Sequence, residues 1–134
     1  MGSDTGPELR RVLHVDDDDS IRGVARLTLE KVGGFEVCSC ATGQEALTRA
    51  AGFQPQLILL DVMMPDMDGP ATLHALRSLL NLSKVPVLFM TAKVLPAEQQ
   101  RLIELGAFGV IIKPFDPMQL PQQILGLWRR YHGC

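Results

Sequence analysis

The run Leu57-Ile58-Leu59-Leu60 is apolar on consecutive residues and stops at Asp61. An amphipathic helix spaces its apolar residues three and four apart, and a half-exposed strand alternates them. An unbroken short run instead predicts a strand covered on both faces, as in a parallel sheet with helices on either side. Val87-Leu88-Phe89-Met90 and Val110-Ile111-Ile112 have the same character.

Between such runs the chain carries helical periods. Strands are predicted over 11–15, 35–39, 56–60, 85–90 and 109–112. Ile21, Val24, Ala25, Thr28 and Val32 form one helical stripe, ended by Gly33-Gly34. Leu73, Leu76 and Leu80 form another behind Gly69-Pro70, where proline suits a first helical turn. Leu102 and Leu105 mark a helix stopped at Gly106. Leu120, Ile124, Leu127, Trp128 and Tyr131 mark the last, with Asp116-Pro117 predicted as its cap and first position and Pro121 early inside it. Five βα units imply a doubly wound α/β fold, a five-stranded parallel sheet flanked by five helices. One domain is expected over 10–134, behind a disordered segment 1–9.

Composition excludes several functions. A net charge of −2 leaves no basic footprint for nucleic acid, and Arg129-Arg130 reads as a solvated helix end. No apolar run approaches the roughly 20 residues that span a bilayer, and no signal-like segment opens the chain, so no membrane contact is expected. Cys38 and Cys40 fall on one face of a strand about 7 Å apart, too far for an easy disulfide. They lack partners at zinc-like spacing and read as buried thiols in a reducing compartment. Cys134 is a terminal thiol.

Ligands of an open parallel sheet bind beyond the carboxyl ends of its strands. There the chain places Asp16 and Asp17, Asp61, Thr91 and Lys113. The run Asp16–Asp19 must be solvated or neutralised, and oxygen ligands at a strand end suit a hard cation such as Mg²⁺. Asp residues there can also cap the following helix. A cation held by Asp16 and Asp17 lets Asp61 stay ionised and act as an oxygen nucleophile. Phosphoryl transfer asks chiefly for positioning and charge neutralisation, which Mg²⁺, Lys113 and the Thr91 hydroxyl can supply, with backbone N–H groups after Asp61 and at Ala92. Structural alternatives are a salt bridge for Lys113 and a loop cap for Thr91.

Four motifs carry a resemblance: Val12-Leu13-His14-Val15-Asp16-Asp17, the stretch from Leu60 to Gly69, Met90-Thr91-Ala92 and Lys113-Pro114-Phe115. Over about residues 10–131 the chain resembles the receiver domain of two-component response regulators, the CheY-like version of the flavodoxin-like fold. The resemblance implies that Asp61 accepts a phosphoryl group from a histidine kinase or histidine phosphotransfer protein. It implies Mg²⁺ held directly by Asp17, Asp61 and the backbone carbonyl of Met63, with Asp16 acting through water. Thr91 and Lys113 would contact the phosphoryl group, and the Lys113-Pro114 peptide would be cis. It further implies a cytoplasmic signalling switch, monomeric or weakly dimeric, that catalyses only its own phosphorylation and dephosphorylation. Its output partner would be a protein bound at the face of the fourth helix, fifth strand and fifth helix.

Two features depart from the family pattern. Receivers often carry Tyr or Phe three residues before the lysine, where Val110 stands here. A valine has no ring to swing, so output is expected from small shifts of the loop after the fourth strand and of that face. Met63 and Lys93 flank the site and could control water access to it. An aspartyl-nucleophile phosphatase of the haloacid-dehalogenase type favours Asp two residues after the nucleophile, where Met63 stands. A flavin mononucleotide binder would find Asp16–Asp19 repelling its phosphate. His14 inside a strand, His74 on a helix and His132 near the end read as core or surface residues.

Overall fold

The structure is a computed structural model describing residues 7–79 and 82–133. The predicted helix position Leu80, the terminal Cys134 and most of the expected disordered segment lie outside the described residues. Five strands, β1 (Arg11–Val15), β2 (Glu36–Cys40), β3 (Leu57–Asp61), β4 (Val87–Thr91) and β5 (Gly109–Ile112), form one sheet in the order β2-β1-β3-β4-β5. Every neighbouring pair is parallel. The helices are α1 (Asp19–Lys31), α2 (Gly43–Phe53), α3 (Gly69–Arg77), α4 (Pro96–Glu104) and α5 (Leu120–Tyr131).

β3 and β4 are buried at every residue, as their unbroken apolar runs require. Alternate side chains feed two cores. Leu13, Val15, Ile58, Leu60 and Phe89 face one side, and Val12, Leu57, Leu59, Leu88 and Met90 face the other, which holds Leu29, Ile124 and Trp128. β3 and β4 each run one residue further than predicted, so Asp61 and Thr91 close the strands rather than follow them. Polar residues end these strands without ending the backbone ladder: Asp61 still pairs in register with Met90, and Thr91 with Ile112.

Three helices begin at residues whose side chains cap them. Asp18 accepts from the Ile21 amide at 2.9 Å, Thr42 from Glu45 at 3.0 Å and Asp68 from Ala71 at 2.9 Å. Asp18 thereby takes the capping role that the acidic run left open, and Asp19 occupies the first turn of α1. The inward stripe of α1 keeps the predicted Ala25 and Thr28 and adds Leu29. Val24 is 44% exposed, and Val32, 49% exposed, lies beyond the last turn.

The last helix also differs from expectation. It starts at Leu120, and Asp116-Pro117 instead builds a turn in which the Asp116 carbonyl accepts from Gln119 and Leu120. Pro121 then falls in the first turn, where a missing N–H costs nothing. Leu120, Ile124 and Trp128 point inward, while Tyr131 lies at the surface with its hydroxyl on the Lys84 carbonyl. Among the described residues no helix is long and apolar enough to cross a membrane.

Candidate functional site

The carboxyl ends of β1, β3, β4 and β5 open on a cavity of about 240 Å³ lined by Asp16, Asp17, Asp61, Met63, Thr91 and Lys113. They come from the ends of four strands and the loops that follow them, which the parallel sheet sets at one edge. Asp16 is fully buried, Asp61 and Thr91 are nearly so, and Asp17 is exposed. Carboxylate oxygens of Asp16, Asp17 and Asp61 lie within 4.8 Å of one another. Three carboxylates that close form a donor set suited to a hard cation, and oxygen ligands are the kind Mg²⁺ takes.

Lys113 is the counter-charge. Its Nζ donates to Asp61 Oδ1 at 2.8 Å and to Asp16 Oδ2 at 3.2 Å. The remaining oxygen of Asp16, Oδ1, accepts from the Asp18 amide at 2.9 Å. Burial alone would lower the Lys113 pKa, but its hydrogen bonds to Asp61 and Asp16 and their charges outweigh that and raise it. Asp61 is pulled both ways. Burial raises its pKa, the Lys113 hydrogen bond lowers it, and the nearby Asp16 and Asp17 charges raise it again, with a net rise. Asp61 is therefore a carboxylate whose ionisation depends on the positive charge beside it.

One backbone close approach shapes the loop after β3. Gly69 donates its N–H to the Val62 carbonyl at 2.9 Å, folding the loop after β3 back on the strand. A Cβ at Gly69 would stand 2.5 Å from the Asp61 carbonyl oxygen and 2.9 Å from Val62 Cα, so this close approach requires glycine. The Lys113-Pro114 peptide is cis. The Thr91 hydroxyl oxygen accepts from the Lys93 amide at 3.0 Å, which leaves its own proton available for donation into the cavity.

The structure thus brings together Asp16, Asp17, Asp61, Thr91 and Lys113, with Met63 at the rim, 71% exposed. Lys93 is also exposed. His74 lies on the outside of α3. His14 is buried one alternate position below Asp16. Sequence reasoning missed Arg22. Its guanidinium donates to the Asp16 carbonyl at 2.8 Å and pairs with Asp19, fastening the loop between β1 and α1. A position one turn into a helix, facing back over its own N-terminus, was the available signal. Thr28 was read as a core position, but its hydroxyl also holds the Pro117 carbonyl at 2.5 Å and ties α1 to the loop after Lys113.

A buried carboxylate clamped by an ammonium, beside two further carboxylates on a doubly wound sheet, defines a site for a cation and an anionic group together. The sequence pattern of the response regulator receiver domain matches residues 12–125, and the chain belongs to that family. It is 39% identical over 121 residues to "Probable transcriptional regulator ycf27" of Cyanophora paradoxa, covering 90% of this chain and 49% of the relative. It is 35% identical over 121 residues to "Alkaline phosphatase synthesis transcriptional regulatory protein PhoP" of Bacillus subtilis, with the same coverage of 90% and 49%. The chain spans about half the length of these curated relatives. Among solved structures, the chemotaxis response regulator CheY4 of Vibrio cholerae superposes with a TM-score of 0.82 at 34% identity, covering 90% of this chain and 99% of that one.

Proposed function

We propose that the protein is a phosphorylation-controlled switch whose acceptor is Asp61. The observation that carries this reading is the Lys113 ammonium bridging two buried carboxylates, Asp61 and Asp16, at the mouth of a cavity. In the transfer, an Asp61 carboxylate oxygen attacks the phosphorus of a phosphohistidine presented by a kinase or phosphotransfer protein. The P–N bond breaks, its electron pair returns to the imidazole, and an aspartyl phosphate forms. Lys113 neutralises one phosphoryl oxygen and the Thr91 hydroxyl donates to another, the positioning and charge compensation that this chemistry chiefly needs. Asp17, Asp61 and the Met63 carbonyl would hold Mg²⁺, with Asp16 acting through water. That ion would supply further positive charge to the phosphoryl oxygens.

Water returns the phosphoryl group to solution without a separate substrate, and exposed Met63 and Lys93 stand where they can limit its approach. The state of Asp61 is read at the α4-β5-α5 face by a protein partner, in the cytoplasm, without direct nucleic-acid contact by this domain. The test is incubation with Mg²⁺ and acetyl phosphate, followed by intact mass and acid/base lability, on wild type and Asp61→Asn. A phosphoryl adduct labile to base and absent from the variant supports the reading. An adduct that survives Asp61→Asn refutes Asp61 as acceptor, and so does the absence of an adduct with both acetyl phosphate and a phosphohistidine donor.

A further inference from the structure

His14 is completely buried in the middle of β1, and neither ring nitrogen has a hydrogen-bond partner. A neutral imidazole presents one N–H donor and one bare acceptor, so both functions stand unsatisfied. Buried polar groups are paired in the great majority of cases, and an unpaired one calls for an explanation. The register partner of His14 on β2 is Ser39, whose hydroxyl oxygen is likewise buried and unpartnered. Register partners on neighbouring parallel strands face the same side of the sheet, about 4.8 Å apart. The two orphaned groups are therefore neighbours.

Among the described residues, the Thr28 hydroxyl and the charged groups around Asp16 are engaged elsewhere. The register partner on the other side is Leu59, and the core on this face of the sheet, which includes Val12, Ala25, Leu29, Val37 and Leu57, is apolar. The Thr28 hydroxyl is committed to Pro117. The charged groups that His14 feels are Asp16, Lys113 and Arg22. Lys113 is bonded to Asp16 and Asp61, and Arg22 to the Asp16 carbonyl and Asp19. One water between two polar groups one strand spacing apart can accept from the ring N–H and donate to the hydroxyl oxygen, leaving the second ring nitrogen bare. One imidazole and one hydroxyl are too few to hold a metal ion.

We propose that His14 and Ser39 hold one buried water between them, and that this linked pair positions the acidic end of β1. The next contact along the ladder is the Asp16 amide donating to the Cys40 carbonyl at 3.0 Å. Asp16 lies two residues beyond His14 on the same face. The offset of β1 against β2, set at His14 and Ser39, is passed directly to Asp16 and Asp17. The water does not depend on the function proposed above, whereas the positioning role rests on Mg²⁺ binding in that reading.

The test uses the full chain labelled with ¹⁵N at histidine. The expected His14 spectrum shows one protonated and one bare ring nitrogen, with a slowly exchanging ring proton that gives a cross-peak to a long-lived water. Ser39→Ala removes the cross-peak and speeds the exchange. Magnesium titration is the second readout. Ser39→Ala and His14→Val each weaken Mg²⁺ binding roughly tenfold, the low end of what outer-shell changes cost a metal site. The double variant loses no more than either single one, and His14→Gln, which restores a donor and an acceptor, recovers most of the affinity. A wild-type ring proton without a water cross-peak overturns the water. Unchanged Mg²⁺ affinity in folded Ser39→Ala and His14→Val overturns the positioning role. Wild type that binds no Mg²⁺ overturns the metal site itself, and the ring proton still decides the water.

Discussion

Acidification tests the burial of His14 directly. Desolvation pushes its pKa down from 6.5 to about 4; Asp16 opposes the shift, and Lys113 and Arg22 add to it. The unfolded chain protonates this imidazole near its ordinary pKa while the folded chain keeps it neutral. Below that value the unfolded state binds more protons, so stability falls as pH falls through the window from 6.5 to about 4. With those two pKa values, His14 alone removes about 2 kcal/mol between about pH 7 and about pH 5. Its steepest slope is about 1.2 kcal/mol per pH unit, reached midway between the two values. Asp61 acts with the opposite sign. Its folded pKa is raised, first by burial, so the native state gains from its protonation on acidification. The assay is therefore a difference: urea unfolding of wild type and His14→Val across that pH range, with every other titrating group common to both. Wild type is expected to lose about 2 kcal/mol more than the variant over the interval. Parallel stability curves, or an imidazole that titrates near 6.5 in the folded protein, would refute the reasoning.

Other consequences follow from the same site. Asp61→Asn removes a charge that the fold holds at a cost, as its raised pKa shows, so the variant is expected to unfold at higher urea than wild type near neutral pH. Free Mg²⁺ at about ten times its dissociation constant is expected to stabilise wild type by about 1.4 kcal/mol, and Asp61→Asn by less, read as a rise in Tm. Gly69→Ala forces a methyl against the Asp61 carbonyl and Val62 backbone, with an expected loss of about 1–3 kcal/mol and slower phosphorylation by acetyl phosphate. Thr28→Val releases the Pro117 carbonyl and is expected to cost about 1 kcal/mol, with faster amide exchange in the loop after Lys113.

The elements most legible in the sequence are those whose burial is total. Leu57–Leu60 and Val87–Met90 announce strands because no other arrangement hides four adjacent apolar side chains so simply. Once five strands run parallel, their carboxyl ends share one edge, which is why Asp16, Asp61, Thr91 and Lys113 could be grouped from sequence. The outward rotation of Val24 was not legible. It is decided by how α1 sits against β2 and α5, a tertiary matter that periodicity alone does not resolve. The start of α5 was misplaced because Asp116-Pro117 carries the signature of a helix entry and here serves a turn three residues earlier. The pairing of His14 with Ser39 needs the β1–β2 register, and the hold of Arg22 on Asp16 needs the side chain's return path. The first is not written in local spacing, and the second is hinted at only by the place of Arg22 one turn into α1.

The valine at position 110 bears on how the proposed switch transmits its state. Val110 packs against the core at partial exposure and offers no ring to rotate between two wells. The mobile part must then be the backbone attached to Thr91. The hydroxyl of Thr91 accepts from the Lys93 amide. When the Thr91 side chain moves its oxygen towards a phosphoryl group on Asp61 to donate at close range, the Lys93 amide must follow that oxygen or lose its partner. The segment beyond has little to hold it. Val94 and Leu95 are 63% and 64% exposed, and α4 begins at Pro96 with no side-chain cap. Such segments open at low free-energy cost. Binding of beryllofluoride, a mimic of the aspartyl phosphate, is expected to shift the amides of 91–96 and the first turn of α4 most, with the Val110 methyls nearly still. An unchanged α4-β5-α5 surface would remove the output route altogether. Val110 methyls that move as far as the loop amides would show instead that β5 carries the signal, because a stiff side chain transmits only the displacement its own backbone makes.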